Sequence, residues 1–87
     1  MEMPKMLKIR WVDSWCSSGW TSRSECHGEL MKCETVGFLV EEGQEHYCLA
    51  LNRCIQDGFR PFGELVTIPK VSVISVGPVV EEGGEEA

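Results

Sequence analysis

The sequence predicts an all-β fold: a small five-stranded SH3-like or Sm-like barrel with a long first loop carrying a short helix. Three observations lead there. Brief runs in which apolar and polar residues alternate recur along the chain, and a period of two marks half-buried strands. A Trp-, Ser- and Gly-rich stretch, WVDSWCSSGW at 11–20, separates the first run from the others. Near the end, ELVTIPKVSVISV is interrupted at Pro69, and proline cannot donate to a β-ladder. Strand, one-turn break and strand is how a small barrel turns a corner.

In the first run, Leu7, Ile9 and Trp11 share one side, with Lys8 and Arg10 on the other. Residues 13–19 are turn chemistry. In SRSECHGELMKC, Ser22 and Glu25 have capping-box spacing. A short helix or helical turn is expected there, although Gly28 disfavours it. ETVGFLVEE, 34–42, sets Val36, Phe38 and Val40 against Thr35, Gly37 and Leu39. Apolar residues on both sides predict a central strand. A tight turn at Gly43 leads into HYCLALNRC, 46–54, which returns as its hairpin partner. The loop QDGFRPFG precedes the last two strands, 65–68 and 71–76. Closing such a sheet would remove exposed edges that invite aggregation.

The organisation that follows is an N-terminal extension at 1–5, a barrel domain at 6–78 and an acidic tail at 79–87. The tail, ending EEGGEEA, has no apolar periodicity and predicts a disordered segment. The 43% apolar content suits one globular domain. No run of about 18 apolar residues predicts a membrane span. MEMPKMLKIR lacks the apolar core of a signal peptide, so a cytoplasmic protein is expected.

The formal charge is -6. Setting aside the four tail glutamates leaves ten acidic against eight basic residues, a net of -2. The basic residues are scattered, and binding nucleic acid through its phosphates needs a basic face; nucleic acid is therefore disfavoured as a partner. Five cysteines, an odd number without a secretion signal, predict reduced thiols, some of them small buried hydrophobes.

Candidate site residues concentrate in the first loop. Trp11 belongs to the alternation and reads as core. Trp15 and Trp20 fall outside it. Their first reading is that they fold back over one barrel end. Their second is a binding surface, since aromatic rings on a barrel loop can receive a peptide, a base or a partner side chain. Arg23, Phe59, Arg60 and Lys70 complete the candidate partner-binding set; Pro69 and Lys70 are first explained by the corner they make. Asp13 and Ser14 read as turn residues that satisfy backbone amides. Glu41, Glu42 and Glu45 read as a solvated hairpin end, and His46 as solvent-facing. Cys16, Cys26, His27 and Cys33 could in principle hold zinc, but no C-x-x-C pair exists, so no metal or other cofactor is expected. Cys-His catalysis would need ring and thiol within hydrogen-bond reach, and neighbouring side chains point apart. No enzyme is expected.

The pattern W-x-D-S, then G-W, then T-V-G-F-L-V-x-E, then I-P-K-x-x-V-x-S-V resembles small proteins encoded by phages and prophages, of unassigned function. It is carried by Trp11, Asp13, Ser14, Gly19, Trp20, Glu25, Thr35, Val36, Gly37, Phe38, Glu41, Ile68, Pro69, Lys70 and Val73, across residues 7–76. TIPKVSVISVGP is also similar in architecture to the C-terminal motif of Sm-like proteins, whose barrels often form rings; that similarity implies a homo-oligomer. The Sm-like RNA-binding residues are not recognisable. Together these readings imply a non-catalytic, phage-encoded accessory or host-interaction protein. Its macromolecular partner, a protein first of all, would be met through the Trp-rich loop. The alternatives are an oligomeric binder that sequesters a small nucleotide-type ligand, and a zinc-stabilised module.

Overall fold

The computed structural model describes residues 4–14 and 18–79. Five antiparallel strands form one sheet: β1 (Met6–Asp13), β2 (Met31–Glu42), β3 (His46–Arg53), β4 (Phe62–Pro69) and β5 (Val73–Pro78). Their spatial order is β4-β3-β2-β1-β5. The all-β class and the five strands of the sequence reading are present. The hairpin of β2 and β3 is formed, with Leu39 opposite Leu49.

The strand ends differ from the alternation. β2 begins at Met31 rather than near residue 34, because Met31–Glu34 pair with Asp13–Arg10 of β1. Polar residues such as Lys32 and Glu34 obscure that first half in the sequence. The expected corner falls where Pro69 ends β4, followed by a single 3-10 turn, Lys70–Ser72.

One expectation is corrected and another is met only in its weaker form. The sheet is open rather than a closed barrel: β4 and β5 stand at opposite edges and do not pair. Among the described residues of the first loop, one 3-10 turn, Arg23–Glu25, forms where the sequence predicts a short helix or helical turn: the helical turn is present, and a longer helix is not. Ser22 and Glu25 do approach, hydroxyl to carboxylate at 3.1 Å. Without an apolar face to bury, however, a short helix does not repay the cost of its nucleus.

The side-chain alternation places the core on one face. Ile9, Leu49 and Ile68 are fully buried there, with Leu7, Trp11, Leu39, Tyr47, Val66 and Val73 packed around them. β2 bends to bring its two halves to different partners. Residues up to Phe38 pair with β1, and Phe38 onward with β3. A bulge between Leu39 and Glu41 sharpens the bend. Gly37 at the bend is buried, and a β-carbon there would stand 2.8 Å from the Ala50 carbonyl oxygen. A second bulge, where β1 passes from Arg10 to Trp11, leaves Ile74 of β5 without a partner. The expected thiols are free, but none of Cys26, Cys33, Cys48 and Cys54 is fully buried.

Candidate binding sites

The loop joining β1 to β2 is the longest connection in the fold. Asp13 begins it by accepting the Ser14 amide at 2.8 Å, which is the turn role its sequence position suggested. Gly19 adopts φ of 94°, a conformation that side-chain-bearing residues rarely take. Trp20 follows directly. Every residue from Ser18 to Leu30 is exposed. Trp20 is 102% exposed, so it covers no end of the sheet and the first reading of this residue is corrected. Arg23 stands on the 3-10 turn, where its carbonyl accepts the Cys26 amide at 3.4 Å. Trp15 and Cys16 lie outside the described residues.

The other expected site residues fall elsewhere. Phe59, 89% exposed, and Arg60 belong to the β3–β4 loop. There Asp57 accepts their backbone amides at 2.9 and 3.1 Å. These two donors hold the Asp57 carboxyl below the ordinary aspartate range, Arg60's having the larger effect. Lys70 is at the far end of β2 from the first loop, about 35 Å of extended strand away. Its ammonium donates to Glu42 at 2.8 Å and sits 5.0 Å from the Tyr47 ring centre. The Glu42 hydrogen bond raises the Lys70 pKa above the usual lysine value. His46 is only half exposed, with a ring nitrogen 2.9 Å from Glu41. Lys70 thus fastens the corner to the β2–β3 hairpin, and the five candidate residues among those described, Trp20, Arg23, Phe59, Arg60 and Lys70, do not form one cluster.

A cavity of about 470 Å³ that the sequence did not suggest opens beside the β3–β4 loop. Leu39 and Val40 at the β2 bulge, Pro4, the loop residues Ile55 and Pro61, and Phe62 at the start of β4 give it apolar walls. Arg53, paired with Phe62 across the β3–β4 ladder, contributes the cation. Arg53 is half-buried, and no carboxylate among the described residues forms an ion pair with it. The walls are tied together by backbone bonds from Cys54 to the Pro61 carbonyl, 2.6 Å, and from Leu39 to the Lys5 carbonyl, 2.7 Å. The one sequence signal was Arg53 itself, which ends the alternation of β3 beside an apolar loop; its convergence with Pro4 and Val40 is not written in any local pattern.

Comparison with protein-family models, with curated proteins and with solved structures finds no significant match. Among the described residues, no three His, Cys, Asp or Glu side chains gather as a metal site. No helix among them is long and apolar enough to cross a membrane.

Proposed function

We propose that the chain is a non-catalytic binding module that meets a protein partner through its first loop. The carrying observation is Trp20, fully exposed beside the left-handed Gly19 and three residues before Arg23. Loops displayed on a rigid sheet are common carriers of binding residues, and Trp and Arg are enriched among the residues that dominate protein interfaces. The phage-encoded setting, in the host cytoplasm, rests on the sequence pattern alone. The test compares the full chain with Trp20→Ala/Arg23→Glu as baits for crosslinked partners in a host lysate. The reading requires a partner that the double variant loses while its denaturation midpoint is unchanged. Equal capture by both baits removes the first loop from the interface.

The Arg53 cavity favours a second reading, an oligomeric small-ligand binder. Its volume lies within the usual range for small-ligand sites, and an apolar wall with an arginine that forms no ion pair among the described residues suits an anionic ligand with an apolar body, nucleotides included. The unpaired outer edges of β4 and β5 offer strands to a second copy. A thermal-shift screen against nucleotides, with native mass measurement, distinguishes this reading from the first. Elemental analysis of the purified chain decides the zinc alternative.

A further inference from the structure

We propose that the Arg53 cavity binds a small aryl-bearing monocarboxylate, in preference to a phosphorylated ligand. The site rests on the cavity of the second reading and narrows its ligand class; it depends neither on the first loop nor on oligomerisation. Three observations carry it.

The first is the charge count. Among the described residues that line the cavity, Arg53 is the one cation and Asp57 the one anion. Arg53 is half-buried and forms no ion pair with a described carboxylate. One guanidinium matches one carboxylate, which it can hold through two parallel N–H donors. A nucleoside diphosphate brings several charges. Its excess would face Asp57 in the same wall, with no second cation lining the cavity to balance it. Asp57 is held in its anionic form, because it accepts the Phe59 and Arg60 amides at 2.9 and 3.1 Å.

The second is the pairing of cation and ring. Arg53 ends β3, Phe62 begins β4, and the two are directly opposite in the ladder. Opposed residues project from the same face of a sheet, with β-carbons about 4.5–5.5 Å apart. A ligand that reaches both therefore carries its charge a short linker away from its apolar body. An aryl ring meets Phe62 in an offset or edge-to-face arrangement while its carboxylate reaches Arg53.

The third is apolar surface left uncovered. Ile55 is 83% exposed and Val40 38%, and both line the cavity with Pro4 and Pro61. Covering this surface supplies the favourable apolar contribution to binding. The volume, about 470 Å³, is that of a site for one small ligand, so the occupant is a free acid and not a longer chain. Its walls come from the lead-in to β1, the β2 bulge and the β3–β4 loop, and the bound acid would join all three.

The test is NMR titration of the full chain, following the Arg53 side-chain N–H and the amides of Ile55 and Gly58. The probes are 3-phenylpropanoate, its uncharged amide, adenosine diphosphate and a short peptide ending in phenylalanine. The acid should shift all three signals to saturation while the Ile9 amide stays in place. The amide should bind about tenfold more weakly or worse, since it loses a charged hydrogen bond. Arg53→Gln should reduce the acid to the level of the amide; should that variant unfold, acid against amide decides alone. Equal binding of acid and amide overturns the proposal. Tighter binding of the diphosphate than of the acid also overturns it and leaves the second reading standing. Binding of the peptide without the free acid overturns it in favour of a macromolecular chain end. No response to any probe overturns both the proposal and the second reading.

Discussion

The indole N–H of Trp11 donates to the Thr35 hydroxyl at 2.9 Å, joining the first two strands of the sheet. The two residues face the core side from adjacent strands, Thr35 directly opposite Ile9. Trp11 therefore supplies both apolar area and a cross-strand bond with a satisfied polar tip. Thr35→Val leaves the half-buried N–H without this acceptor and should cost about 1 kcal/mol. Urea denaturation measures it. Trp11→Phe alone should cost more because it also loses packing, and the double variant should cost less than the two together. Strict additivity would show that the bond contributes nothing.

Core and loop residues should respond oppositely to truncation. Leu49→Ala empties part of a core that holds, among the described residues, three large, fully buried side chains. It should cost about 2–5 kcal/mol, comparable with the low end of a whole domain's stability. Trp20→Ala should stay within about 0.5 kcal/mol of wild type. Denaturation midpoints from circular dichroism compare them. A large loss at Trp20 would mean that the indole packs in solution and that the first loop is not a free surface.

Glycine at the bend of β2 is required by close approach. The β-carbon introduced by Gly37→Ala would meet the Ala50 carbonyl oxygen at 2.8 Å and the Leu49 β-carbon at 3.1 Å. Backbone has to move, at a cost of about 1–3 kcal/mol. Gly58→Ala in the β3–β4 loop meets nothing within 4 Å and should change stability little. Equal midpoints for the two variants would contradict the bend geometry.

Stability should depend on pH at both ends of the scale. Lys70 has its pKa raised by Glu42. The folded state therefore holds that proton more tightly, and the contribution is complete below the ordinary lysine pKa. It is lost as pH rises through the elevated value. Glu42→Gln should lower the melting temperature at neutral pH, and the difference should close in strong alkali. Asp57 behaves in the reverse sense. Its pKa is lowered by the Arg60 and Phe59 amides, so its contribution is complete above the ordinary aspartate pKa and is lost as pH falls through the depressed value. Asp57→Asn should flatten the acid side of the melting profile. Both residues are solvent-accessible, so the shifts should be small and should shrink with salt.

The sequence by itself determined the all-β class, the five strands, the hairpin across Gly43 and the corner at Pro69. It also determined which side of β1 turns inward. These are local properties, because side-chain alternation and turn chemistry act over a few residues and recur in the described strands. Tertiary structure alone decided that β4 and β5 stand apart, that Lys70 joins the hairpin instead of the first loop, and that Arg53 meets Pro4 and Val40 around a cavity. Each depends on register and on the bends at two bulges. One unpaired residue in a ladder redirects every strand beyond it, and no period of two records where that residue falls.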